Sequence, residues 1–255
     1  MKRLITLTAI AWIAVAMPLA AQSARRSPAS DTFASDEQTV PVMANTVGVG
    51  GAVFQTYLAI LNPTEDRFIV EATLYDALGE EHVATISLGA HEQKTFTNFL
   101  DTVFHFTGGG AVEFRSPESV GGTHNNRFIV STEIRTAGSR YGTTIPSLEF
   151  AGTSSPSFSP GVTVDSNTRT NVGCYNQSEE PNKIKATVFD STGTQNLGSV
   201  ELNLAGEAWG QLPIVAVVSN GFVQFEPEDS AVCYAVVVDN ATNDGRFISA
   251  AEYQP

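Results

Sequence analysis

Apolar and polar side chains alternate over several short runs of this chain, and clusters of glycine, proline, Asn and Asp separate the runs. In 56–61, Thr56, Leu58 and Ile60 alternate with Tyr57, Ala59 and Leu61, so both faces are largely apolar and the strand belongs in the middle of a sandwich. Asn62-Pro63 breaks the run, 68–75 is the next predicted strand, and Asp76-Ala77-Leu78-Gly79 reads as a turn whose glycine can take positive φ. Val83, Ile86 and Leu88 begin another strand, and 111–115 and 127–135 complete the first half. Only 97–106 competes as a short helix, because Phe99, Leu100, Val103 and Phe104 fall at helical spacings. The second half predicts strands at 172–175, 184–189, 198–204, 222–225, 232–238 and 247–253. Its crossover, 211–219, holds Pro213 and a β-branched run, which disfavours helix.

The two halves are copies of one unit. FQTYLAILNPTEDRFIVEATLYDALG at 54–79 returns without a gap as TRTNVGCYNQSEEPNKIKATVFDSTG at 168–193, a constant offset of 114 positions. Identical pairs are Thr56/Thr170, Asn62/Asn176, Glu65/Glu179, Ala72/Ala186, Thr73/Thr187, Asp76/Asp190 and Gly79/Gly193. Short strands spaced by turns and duplicated in tandem predict an all-β chain of two tandem antiparallel β-sandwich domains.

The N-terminus changes the picture of where the protein works. Lys2 and Arg3 precede an apolar run over 4–17 and then Pro18, Leu19, Ala20 and Ala21, the pattern of a signal peptide cut after Ala21. The expected organisation is a signal peptide at 1–21, an unpacked leader at 22–38, a first sandwich at 39–151, a Ser/Pro/Gly linker at 152–161 and a second sandwich at 162–255. No second apolar run follows, so no integral membrane segment is expected in the mature chain, and no cysteine lies near the cut to carry a lipid. The expected location is secreted or periplasmic. Losing Lys2 and Arg3 takes the formal charge from −13 to −15, with −6 over 38–151 and −8 over 152–255, which disfavours nucleic acid and anionic lipid as partners.

In such a compartment the two cysteines, Cys174 and Cys233, are expected as a disulfide. Cys174 stands in the slot of Ile60, and aligning FIVSTEIRT with CYAVVVDNA places Cys233 near Ile129, so the bond takes the place of a packed contact between an early and a late strand. His82, His91, His105 and His124 show no mutual metal-ligand spacing, although His82 and His91 could meet across a hairpin. No G-x-S-x-G or H-E-x-x-H is present, and no catalytic residue is assigned. Gly48-x-Gly50-Gly51 lacks the Lys-Ser/Thr of a phosphate loop and reads as backbone freedom at an edge or bulge. The loop 239–245 carries oxygen side chains in the manner of a calcium loop; Asp239, Asn240, Thr242 and Asp244 are the weak metal candidates, set against an Asx-rich turn that caps its own backbone. No other cofactor is expected.

Phe54-Gln-Thr56, Asn62-Pro63, Tyr75-Asp76-x-x-Gly79, Arg169-Thr170-Asn171 and Asp239-Asn240-x-Thr242-x-Asp244 resemble the signatures of tandem Ig-like β-sandwich repeats of secreted bacterial proteins. The resemblance spans 40–255 and implies an extracellular module, found alone or appended to exported enzymes such as proteases, with no catalytic residues to carry over. The first repeat departs from it with Arg135-Thr136-Ala137-Gly138 where the second has Asp239-Asn240. The resulting expectation is an exported, non-catalytic binding or adhesion module that contacts a protein or glycan at or outside the cell surface. The alternatives are a calcium-dependent carbohydrate or protein binder, a hydrolase with an unrecognised site, and a structural part of an extracellular assembly.

Overall fold

The computed structural model describes residues 34–116, 126–149 and 152–253. The expected signal peptide, most of the expected leader, and His124 lie outside the described residues. The first half contains β1 (Glu37–Val47), a single 3-10 turn (Val49–Gly51), β2 (Val53–Leu61), β3 (Phe68–Tyr75), β4 (Glu81–Leu88), β5 (Gln93–Phe96), α1 (Phe99–Phe104), β6 (Gly108–Arg115), β7 (Ile129–Thr136) and β8 (Thr143–Ile145). The second contains β9 (Ser157–Val164), β10 (Thr168–Asn176), β11 (Asn182–Phe189), β12 (Asn196–Leu204), β13 (Trp209–Pro213), β14 (Val218–Pro227), β15 (Ala231–Asp239), β16 (Gly245–Ser249) and β17 (Ala251–Glu252).

Every pairing is antiparallel, and the two halves pair alike. The second half has one sheet ordered β13-β10-β15-β16 and one ordered β12-β11-β14-β9-β17. The first half has the equivalent β4-β3-β6-β1 and the equivalent β5, β2, β7 and β8, joined into one folded eight-stranded sheet by β1. Residues 37–45 of β1 pair with β6, its last residues pair with β2, and a register shift between Val40 and Met43 bends it. The fold is thus an all-β sandwich architecture in three antiparallel sheets.

The repeated residues turn out to be scaffold. Thr56 and Thr170 are fully buried and their hydroxyls donate to the carbonyls of Ala44 and Thr163, tying β2 to β1 and β10 to β9. Asn62 donates its amide to the carbonyls of Asp66 and Gly89, and Asn176 does the same to Glu180 and Ala205. Their Oδ1 atoms accept the backbone N–H of Thr64 and of Ser178. Asp76 and Asp190 hold the next turn, which Gly79 and Gly193 complete at φ +79° and +72°. Apolar alternation then fills the interior: Phe68, Val70, Ala72 and Leu74 of β3 point inward, as do Ile184, Ala186 and Val188 of β11.

The helix that competed in 97–106 is present as α1, with Phe99 and Leu100 buried. The Phe99 ring meets Phe96, Phe104 and Phe114 at 5.3, 5.6 and 5.7 Å between centroids, and His105 closes the helix in the left-handed region. In the second half the crossover stays extended as β13 and then β14. The Gly48-x-Gly50-Gly51 stretch forms the 3-10 turn between β1 and β2, with Gly50 and Gly51 at φ +74° and +81°.

Two expected boundaries move. The Ser/Pro/Gly composition of 152–161 suggests a linker, but Ser157–Val164 is β9, paired with β14, and Ser157, Ser159 and Val162 are buried in the second sandwich. Its proline is tolerated because β17 pairs only with Ser157 and Phe158, leaving Pro160 next to β14 alone. The leader likewise ends sooner than 38, since Ser35 pairs with Phe128, β1 starts at Glu37 and the Gln38 side chain donates to the Phe128 carbonyl.

Cys174 and Cys233 form a disulfide and are direct partners in the β10–β15 register. Ile60 faces Val130 at the same place between β2 and β7, so the counterpart of Cys233 is Val130, one residue beyond the Ile129 that alignment suggests. β15 also explains its own lack of alternation. Cys233 and Ala235 enter the core of the second sandwich, while Tyr234 and Val236 on the opposite face pack into the core of the first. Trp209 and Phe247 join them there, so the sheet holding β10 and β15 is covered on both faces.

Candidate functional site

Asp239 to Gly245, the sequence's weak metal candidate, closes on itself. Asp239 Oδ1 accepts the N–H groups of Ala241 and Thr242 and the Thr242 hydroxyl, and these bonds hold its carboxyl below the usual range. Thr242 Oγ1 accepts the Asp244 N–H. Asn240 Oδ1 and Asn243 Oδ1 both accept from the guanidinium of Arg169 at 2.9 Å. Two of the four candidate side chains, Asp239 and Thr242, are therefore engaged in an Asx turn, and a third, Asn240, is held by Arg169, so a cation belonging to the chain already sits against the loop.

The histidines go to separate places. His91 Nε2 lies 3.1 Å from Glu65, and His105 is the cap of α1, so His82 and His91 do not meet across the hairpin. His82 instead turns back to the β3–β4 turn, with its Nε2 3.4 Å from Asp76 Oδ2. Asp76, Glu80 and His82 offer one ligand atom each, all within 4.8 Å of one another, as the only such group of three among the described residues. Spacing between histidines cannot reveal this group because carboxylates supply the other donors; a carboxylate and an imidazole two positions apart, Glu80 and His82, was the available signal.

That turn also docks the second half of the chain. The Trp209 N–H donates to the Asp76 carbonyl at 2.9 Å, and a Cβ on Gly79 would fall 2.4 Å from the Gly206 carbonyl oxygen, so no larger residue fits. Alongside, the rings of Tyr75 and Tyr175 meet at 5.2 Å and the Tyr175 hydroxyl donates to Glu113 Oε1 at 3.2 Å. Burial pushes the Tyr75 phenol up to about 12 and drives that of Tyr175 up as well. Deeper in, the Trp209 indole donates to Tyr234 Oη, which donates to Gln211. A phenol or indole placed this way fills apolar space while its polar end is satisfied.

Glu113 is the buried acid of this junction, and desolvation raises its carboxyl above the ordinary 4.5 despite the opposing effects of Arg115 and the Tyr175 hydroxyl. A raised folded-state value means that the folded chain binds the proton more tightly than the unfolded chain. Glu113 therefore costs stability once pH passes above its folded value, and that cost disappears as pH falls toward 4.5. Glu113→Gln should raise the melting midpoint at neutral pH and lose the advantage in acid; a variant that melts lower at neutral pH would show that the ionised carboxylate is a net support.

Exposed apolar side chains gather at one end of the first sandwich. Val47, Val49 and Val53 surround the 3-10 turn between β1 and β2, and the Ala137 N–H donates to the Val53 carbonyl, bringing the β7–β8 loop alongside. Val49 is 73% exposed and Tyr141, in that loop, 80%. A shallow depression of about 400 Å³ on the second sandwich is lined by Phe222, Asn220 and Arg246 among others.

Compared with known proteins, the chain matches no family model and no curated sequence. Among solved structures it is weakly similar to Bacteroides uniformis beta-glucuronidase 2 covalently bound to cyclophellitol-6-carboxylate aziridine, at 10% identity and a TM-score of 0.16. That alignment covers 78% of this chain and 24% of the other, so the chain spans about a quarter of that protein's length.

Proposed function

We propose that the chain is an exported, non-catalytic binding or adhesion module that engages a protein or glycan at or outside the cell surface through the loop end of its first sandwich. The observation that carries this reading is the apolar tip. Val47 at the end of β1, Val49 in the 3-10 turn and Tyr141 in the β7–β8 loop stand in solvent, where burial in the chain's own core cannot account for them. Apolar and aromatic side chains of this kind supply the buried centre of an interface, and the acidic rest of the surface keeps the free protein soluble. The Cys174–Cys233 bond fits an extracytoplasmic compartment, and among the described residues no helix is long and apolar enough to cross a membrane. The signal-peptide pattern at 1–21 supports export.

The test is retention of the purified protein on immobilised proteins and glycans from the producing organism's surface and surroundings, run beside turnover assays with ester, peptide and glycan substrates. Saturable retention without turnover is expected. Turnover of any of these substrates would replace the binding reading with a hydrolase.

A further inference from the structure

We propose that Asp76, Glu80 and His82 form a binding site for a divalent transition metal, with zinc the best-matched ion. The inference is independent of the binding reading above. Imidazole with two carboxylates is a donor set that suits zinc and its neighbours better than calcium or magnesium, which take oxygen alone.

The geometry is prepared by the turn. Asp76 Oδ1 accepts the backbone N–H groups of Leu78 and Glu80, at 2.8 and 3.0 Å, which fixes the carboxylate and directs Oδ2 toward His82. The imidazole is steadied on its other side by the Phe106 ring, 5.1 Å away between centroids. Ligands about 2.0–2.2 Å from a tetrahedral zinc lie roughly 3.4 Å from one another, and Asp76 Oδ2 to His82 Nε2 is already 3.4 Å. Glu80 is exposed and free to swing its carboxylate onto the ion, leaving a fourth position for water or an incoming donor.

The Asp76 carboxylate has no permanent countercharge among the described residues: its side chain is only 10% accessible, and its one ion-pair partner there is His82, which carries charge only when protonated. Two backbone N–H groups serve its Oδ1, and among those residues Oδ2 has only that imidazole, so a cation at Oδ2 would supply a permanent countercharge. The second repeat shows what the same turn does without a ligand role. There Asp190 also accepts a backbone N–H on Oδ1, from Gln195, but its Oδ2 is satisfied by the Thr192 hydroxyl. Leu78 stands at the place of Thr192 and offers no hydroxyl. By strand pairing, Gln195 replaces Glu80 and Gly198 replaces His82, so both extra ligands are peculiar to the first repeat.

The full mature chain, stripped with chelator and titrated with zinc chloride by calorimetry, is expected to bind one ion. His82→Gln and Glu80→Gln should each weaken binding by more than about tenfold, whereas His91→Gln and His105→Gln should leave it unchanged. Zinc should raise the melting midpoint of the wild type and not that of His82→Gln, because only a ligand bound to the folded state stabilises it. Equal midpoints of wild type and His82→Gln in chelator check that the substitution spares the fold. Absence of zinc binding, undiminished binding by His82→Gln, or tighter binding of calcium than of zinc would each overturn the proposal.

Discussion

Replacing both members of the disulfide, as Cys174→Ala with Cys233→Ala, should destabilise the protein by about 4 kcal/mol, since closing a loop of this size in the unfolded chain is worth that much. The bond joins positions 59 apart and pins β10 to β15, the strand that enters the core of the second sandwich with one face and that of the first with the other. For a chain of this size the loss corresponds to a fall of roughly 10 °C in melting midpoint. Reductant should lower the wild type toward the double variant and leave the double variant where it is. The first sandwich shows that the pairing does not itself require sulfur, because Ile60 and Val130 occupy the same register and are both buried. The double variant is therefore expected to fold to the same structure with a lower midpoint. A double variant that melts with the wild type would mean that the unfolded chain is already restricted there.

The second large effect is expected at the repeated asparagines. Asn62 is fully buried, donates to the carbonyls of Asp66 and Gly89, and accepts the Thr64 N–H and hydroxyl. Asn62→Ala strips partners from two carbonyls and an N–H at the root of the β2–β3 and β4–β5 loops. At about 1–3 kcal/mol for each group left without a partner in the interior, a loss of roughly 3 kcal/mol or more is expected. Asn176→Ala should cost a similar amount, because its amide serves Glu180 and Ala205 and its oxygen serves Ser178 and Asn182. The two sites share no hydrogen-bond partner, so their effects should add. Urea unfolding of the single and double variants measures both points, and a cost below about 0.5 kcal/mol at either site would contradict the role assigned to it.

These two groups of residues also show which parts of the molecule the amino-acid pattern makes legible. Asn62, Asp76 and Gly79 are visible as a repeat because their roles are local: each serves a turn within its own unit, so duplication preserves them. The partnership of Cys174 and Cys233 is visible because Ile60 marks the slot in the other copy. β9 escapes because Ser157, Ser159 and Pro160 have linker chemistry, and only the pairing with β14 makes them a strand. The contact between the halves escapes for the opposite reason. Tyr175, Trp209 and Tyr234 look like ordinary core residues, and nothing in their spacing says that they face the other sandwich. The run 231–238 carries a partial trace, since an uninterrupted apolar strand implies cover on both faces. In the 239–245 loop the residue types are right for a cation, but the Arg169 that engages two of them lies some seventy positions earlier.

The Val47/Val49/Tyr141 tip and the histidine-bearing turn both belong to the first repeat, while the second exposes Val215 and Val217 between β13 and β14. The most direct measurement is the affinity of the retained surface ligand for the wild type, for Val47→Ser with Val49→Ser and Tyr141→Ser, and for Val83→Ser, an exposed valine on β4 away from that tip. The triple variant is expected to lose more than about tenfold in affinity, as central apolar contacts do, while Val83→Ser binds like the wild type. Equal affinities across all three proteins would contradict it and move the contact surface elsewhere on the chain.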